Sequence, residues 1–402
     1  MAPERLLVFE VRGQISSFAA AIARVPGLEL VDEEELSADE ADKEPVAYLM
    51  VPDVQALQQL ESLWRRWQRG ELERGETPWR DVFALLRNLR PWGPEDRVNP
   101  DDAGILADII EGRPDDELVV LEVELVFRLN EASAAAEEQD LVASVGAQGG
   151  RSTSRSRLTD IAYHALLVEL PVRSVRQILL HEERSIATLD AVMHIRPQSL
   201  ATTIDVEDQA EADRRVEVGE LGSPILALVD GVPVAAHRLL ERHLIVDDQF
   251  GLEPETPVDG RDHGTAMASL IVHGDLNQPE PPLRRRVHVV PVLGARDQFP
   301  ETRLIVDVIY TALVAMRGDV NPTAPNVVIV NLSLGNARRP FHGNLSAWAR
   351  LLDRLAYRFG VLFVVSAGNW VGSFGANAFA TSIAFEDAAP DERADGILRA
   401  VG

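Results

Sequence analysis

"RVHVVPVLGARDQFPETRLIVDVIYTALVAMRGDVNPTAPNVVIVNLSLG", residues 286–335, decides the fold. Two short apolar runs, 286–293 and 326–334, flank a stretch at 302–317 that reads as a helix. Runs without polar alternation are strands buried on both sides, and strands of that kind alternating with helices predict a parallel sheet covered on each face. The texture extends outward in both directions. "PILALVD" (224–230) and "GVLFVVSA" (360–367) predict two more strands, and helices are expected at 264–273 and 344–358. In such sheets functional residues gather at the carboxyl ends of the strands.

The residues at those ends are Asp230, closing "ILALVD"; His263, opening the small-residue stretch "HGTAMAS"; "VNLSLG" at 330–335; and "SAGN" at 366–369. Taken singly each has an ordinary reading. Asp230 suits a turn before Gly231, His263 a cap or a packing residue, and the two glycine-containing ends simple turns. A carboxylate ending an apolar strand is costly, however, unless it is hydrogen-bonded or solvated. A helix N-terminus disfavours imidazolium, so a carboxylate beside His263 would offset it. A strand edge at 330–335 could pair with an extended peptide.

In this order the four pieces resemble the subtilisin-like serine peptidases, over about residues 222–380. Met267 and Ser269 stand where Val and Gly are commoner, and Gly231 directly follows Asp230 where the family usually has Ser or Thr. Asp247 and Asp248 are fallbacks for the acid. The resemblance implies peptide-bond hydrolysis of a polypeptide substrate. His263 would be general base and then acid, with Asp230 holding its tautomer. Asn369 would donate to the oxyanion, and Ser333, Leu334 and Gly335 would form the substrate-binding edge, with Leu334 near a specificity pocket. The family's nucleophile lies in Gly-Thr-Ser-x-Ala, which does not occur here; Ser366, Ser373 and Ser382 lack that context, and "FATSIAF" around Ser382 reads as a strand. The expectation is therefore a subtilisin-like domain incomplete at its C-terminus, inactive without the serine segment. The alternative is a non-catalytic peptide-binding or regulatory module on the same scaffold.

The first half reads as α/β with ferredoxin-like βαβ units. Strands are expected at 6–11, 28–31, 46–51, 117–129, 163–170 and 187–195, and helices at 15–25, 54–69, 78–89 and 172–182, with "EASAAAEEQ" as a further helix candidate. "GAQGGRSTSRSR" (146–157) reads as an exposed loop; it lacks the Lys-Ser/Thr ending of a phosphate loop. The expected organisation is an α/β domain at 1–115, a βαβ-containing unit at 116–200, an acidic linker at 201–222 and the peptidase-like domain at 223–402. Subtilase propeptides are small βαββαβ folds, so the resemblance implies an attached inhibitory or recruiting role for this half. Intracellular relatives of this layout also imply an ATPase or other regulatory partner.

Composition narrows the classes. The formal net charge is −25, and residues 1–220 hold 44 acidic against 23 basic residues, while 221–402 hold 20 against 16. Such a field disfavours nucleic acid and anionic membranes. No cysteine occurs, so neither disulfides nor thiolate metal sites are available. The start, "MAPERLLVFEVRG", is not laid out as a signal peptide, and no apolar stretch reaches the ~20 residues of a membrane span, so a cytoplasmic setting is expected. No metal motif is present, and "VDDQFG" (246–251) reads as a turn, although the family often carries structural calcium.

Overall fold

The computed structural model describes residues 6–12, 18–35, 45–52, 54–198, 219–276, 281–335, 345–366, 379, 382–390 and 392–394. The chain forms two compact units, 1–366 and 367–402. The first unit opens with β1 (Leu7–Arg12), α1 (Phe18–Ile22), β2 (Leu28–Glu35), β3 (Pro45–Pro52), α2 (Val54–Gln68), α3 (Thr77–Leu85) and β4 (Leu86–Pro91). These strands make an antiparallel sheet of order β2-β3-β1-β4. After α4 (Pro100–Ile110) the pattern repeats: β5 (Leu118–Leu125), α5 (Glu131–Ala147), β6 (Arg151–Leu158), β7 (Tyr163–Pro171), α6 (Val172–Leu179) and β8 (Val192–Pro197). Its sheet, again antiparallel, runs β6-β7-β5-β8.

Next come β9 (Leu226–Gly231), β10 (Leu244–Val246), α7 (Asp262–His273), β11 (Val287–Leu293), α8 (Ile305–Arg317), β12 (Ile329–Leu332), α9 (Ala347–Phe359) and β13 (Leu362–Val365). All five strands pair in parallel, in the order β10-β11-β9-β12-β13. Alternate residues of β9 face opposite layers: Ala227 and Val229 pack toward α8 and α9, and Leu228 toward Ala268 and Val272 of α7. The short helix α10 (Ser382–Asp387) belongs to the second unit.

One apolar core joins the second antiparallel sheet to the parallel one. β7 is apolar along nearly its whole length because both its faces are covered. Leu166, Val168 and Leu170 pack with α4, α5 and α6, while Tyr163, Ala165 and Leu167 enter the core built by α8, α9 and the parallel strands. Polar contacts fix the same junction. Ser156 Oγ donates to Asp307 Oδ1 (2.8 Å), and Gln198 Nε2 donates to the Arg303 carbonyl (2.8 Å). Buried Glu124 of β5 takes Arg196 Nη1 at 2.5 Å and Arg350 Nη2, from α9, at 3.0 Å.

Several sequence expectations are corrected. The stretch read as a loop at 146–157 holds the end of α5 and most of β6. β6 alternates Arg and Ser and lies at the sheet edge, so no apolar stripe betrays it; Gly150 precedes it because a Cβ there would lie 2.3 Å from the Glu169 carbonyl of β7. The helix expected at 78–89 stops at Leu85, where the chain turns into β4. The strand expected from 187 begins at Val192, after a short 3-10 turn, Ile186–Thr188. α4 was not foreseen, although its signals are plain: Asn99 accepts from the Asp102 N–H at 2.7 Å, and Pro100 begins the helix. Residues 382–387 are helical, not a strand. Most of the acidic linker, 199–218, lies outside the described residues.

Candidate active site

Strand β9 and helix α7 supply a hydrogen-bonded acid–imidazole pair. Asp230 projects from the α7-facing side of β9 and is fully buried. His263, second residue of α7, donates from Nδ1 to Asp230 Oδ1 at 2.6 Å, and its side chain is 12 % exposed. The same oxygen accepts the Gly231 N–H at 2.6 Å, and Oδ2 is buried with no hydrogen-bond partner among the described residues.

The residues after each member of the pair set this distance. A Cβ on Gly264 would lie 2.3 Å from the Gly231 carbonyl oxygen and 2.7 Å from its carbon. Only a glycine lets the first turn of α7 press against the end of β9. Thr265 straps the two together: its hydroxyl donates to the Arg261 carbonyl (2.6 Å) and accepts from the Val234 N–H (2.8 Å). Arg261, just before the helix, donates to the carbonyls of Thr256 (3.0 Å) and Glu253 (2.6 Å), which pins the incoming chain.

Electrostatics follows from this burial. Desolvation pushes the Asp230 carboxyl above its ordinary value of 3.8, against the opposing pull of His263 and the Gly231 N–H. Burial opposes protonation of His263, yet the hydrogen bond and charge of Asp230, with Asp297, outweigh it and raise the imidazole above 6.5. Asp297 was not singled out in the sequence. It ends the 3-10 turn Ala295–Asp297 after β11 with φ +52°, and its Oδ1 would lie 3.3 Å from a Cβ on Gly231. "VLGARD" carries no motif; only the rule that strand carboxyl ends build sites points there.

The fallback acids have other partners. Asp247 Oδ2 lies 3.3 Å from His288 Nε2, and Asp248 accepts the N–H groups of Leu252 and Glu253 at 2.8 and 2.9 Å. Within 330–335, residues 330–332 belong to β12, which is interior, between β9 and β13. Only the continuation past Leu332 leaves the strand. There Ser333 Oγ accepts from Asn331 Nδ2 (2.8 Å), and Ser366 donates its N–H to the Leu332 carbonyl (3.1 Å) and its hydroxyl to that of Leu334 (3.3 Å). Leu334 is buried in the main core, and Gly335 is half-buried. Asn369 lies outside the described residues.

Residues 225–384 match the family model described as the subtilase family. The likeness is to the subtilase family, over about two fifths of the chain. No curated protein matches the chain. Among solved structures, a microcompartment protein from Desulfitobacterium hafniense DCB is 15 % identical, covering 49 % of this chain and 95 % of its own, with a TM-score of 0.20. The acetolactate synthase small subunit from Thermotoga maritima is 14 % identical over 48 % of this chain and 92 % of its own, at a TM-score of 0.15. Likenesses at that level carry no structural or functional argument. Within the matched segment, the Asp230–His263 pair sits at the carboxyl edge of the parallel sheet, and the family match makes peptide hydrolysis the chemistry to test there.

Proposed function

We propose that the subtilase segment is the acid–base half of a serine endopeptidase acting on polypeptides. The observation that carries this reading is the 2.6 Å contact between His263 Nδ1 and a fully buried Asp230. With Nδ1–H committed to Asp230, the other ring nitrogen keeps its lone pair for proton transfer. A serine hydroxyl attacking the peptide carbonyl passes its proton to His263 as the Oγ–C bond forms. His263 returns that proton to the departing amine as the C–N bond breaks. Asp230 stays ionised and stabilises the imidazolium between the two steps.

Asn369 is assigned the oxyanion donor; loss of such a donor lowers turnover about 10²–10³-fold, a figure measured on subtilisin itself. Ser333, Leu334 and Gly335 are assigned the substrate edge, where main-chain pairing would hold an extended peptide. The nucleophile is assigned to no described serine. The N-terminal region, with its two ferredoxin-like sheets, is read as an attached inhibitory or recruiting layer. What supports this is the continuous core between β7 and α8–α9.

The test is fluorophosphonate labelling of the 402-residue chain and of the gene product read through any following Gly-Thr-Ser segment. Labelling of the longer form, abolished in His263→Ala, is the expected result; equal labelling of wild type and variant would refute the pair's role. Because His263 must be neutral to act as base and its pKa is raised, kcat/KM should fall as pH drops through a value above 6.5. The second reading is a peptide-binding module without hydrolysis. It predicts saturable peptide binding with no labelling of either form.

A further inference from the structure

Beside the Asp230–His263 pair, read as the acid–base half of a peptidase, stands a second carboxylate with no part in that chemistry. Asp297 closes the 3-10 turn that follows β11, at the same carboxyl edge of the sheet as Asp230. Its φ of +52° is left-handed, a conformation that residues bearing a Cβ rarely adopt and that collects at functional sites. The turn brings the carboxylate over Gly231. A Cβ on Gly231 would meet Asp297 Oδ1 at 3.3 Å and the Gly264 nitrogen at 3.6 Å. One small notch therefore touches the end of β9, the first turn of α7 and this acid. A side chain at 231 would crowd the carboxylate, and glycine leaves the notch to it.

The charge reaches the imidazole. Burial disfavours protonation of His263, and Asp230, followed by Asp297, more than offsets it, so the ring is held above 6.5. The other described charges around the first turn of α7 are engaged elsewhere or solvated. Arg261 donates to the carbonyls of Thr256 and Glu253 and lies 3.6 Å from the Glu253 carboxylate. Asp262, next to His263 in the chain, is exposed, and so is Asp259 on the turn Val258–Gly260 packed against α7. The one titratable residue within β11 is His288, which faces Asp247. The side chain of Arg296, on the same turn as Asp297, lies outside the described residues.

We propose that Asp297 is a second acid serving His263: from the notch over Gly231, its carboxylate shares with Asp230 the stabilisation of the imidazolium that forms when the nucleophile gives up its proton. Asp230 holds the ring by a hydrogen bond, whereas Asp297 is a positioning residue that acts on it through charge. The consequence is regulatory. Two carboxylates make His263 a stronger base than one would, and they also keep it protonated to a higher pH, so the base is withdrawn sooner as the medium acidifies.

The test is NMR titration of the His263 ring in the 402-residue chain, which needs no nucleophile. Asp297→Asn removes the charge and keeps the turn, because Asn also tolerates left-handed φ. Its His263 should titrate about half a pH unit lower than in the unaltered chain. Asp297→Gly, which suits the same turn without a side chain, should give the same drop. Asp262→Asn, which removes a solvated charge beside His263, should leave the titration in place. An unshifted His263 in folded Asp297→Asn and Asp297→Gly, or a shift in Asp262→Asn as large as theirs, would overturn the proposal. Asp230→Asn, expected to lower the titration further, reports on the pair itself. A shift there without one at Asp297 removes the second acid and leaves the Asp230–His263 reading standing.

Discussion

The two antiparallel sheets share strand order and connectivity, and each places a glutamate of its first strand against an arginine of its fourth. In the first sheet, Glu10 meets Arg90 at 2.7 Å with the side chains 20 % and 26 % exposed. In the second, Glu124 meets Arg196 at 2.5 Å with exposures of 1 % and 14 %, and a second arginine, Arg350, arrives from α9. The pairs look alike on paper, but their solvent does not. A partly wetted pair is screened by water, whereas a dry one is strong only while every charge keeps its partner. The difference comes from what lies on the sheet: α8 and α9 cover the second sheet on the face that bears Glu124.

Removing a partner should expose this contrast most strongly. Glu124→Ala leaves Arg196, which keeps only Glu122 at 3.3 Å, and half-buried Arg350 without their shared carboxylate, and should destabilise the chain by about 3 kcal/mol in urea unfolding. The acid limb comes next. Burial pushes Glu124 up, but Arg196 and Arg350 overcome this and hold it at about 2 instead of 4.5. A carboxyl whose folded pKa is depressed stabilises the fold above its unfolded value and loses that contribution as pH falls through the folded one. Roughly 3 kcal/mol should therefore disappear between about pH 4.5 and pH 2, and Glu124→Gln should flatten that window. Arg90→Ala, which also loses a bidentate contact to Asp96, should cost only about 1 kcal/mol. Glu10→Gln should cost a few tenths of a kcal/mol, with the small loss shrinking further in molar salt. A Glu10→Gln effect as large as that of Glu124→Ala would erase the distinction between the two environments.

The same contrast explains what could be read from the chain. β7, apolar on both faces, shows itself as a continuous run, and so do the parallel strands. β5 alternates, and Glu122 and Glu124 read as a solvent face; α9 arrives from more than two hundred residues away and buries them. β6 alternates too, but between Arg and Ser, so its period of two is hidden without an apolar stripe. In the candidate site, the His-Gly-Thr sequence and the acid ending a strand were legible as types. Asp297 was not, because its place beside Gly231 comes from a left-handed turn without a motif.

By itself the sequence determined the alternation of buried strands and helices after residue 222 and the small residues that let α7 approach β9. These are local properties, set by side-chain size, periodicity and hydrogen bonds within a few residues. Tertiary structure alone decided which of Asp230, Asp247 and Asp248 meets His263, and that Glu124 is dry rather than solvated. Those outcomes join residues 33 and 226 positions apart, and only the packing of whole layers fixes such distances and removes the water between them.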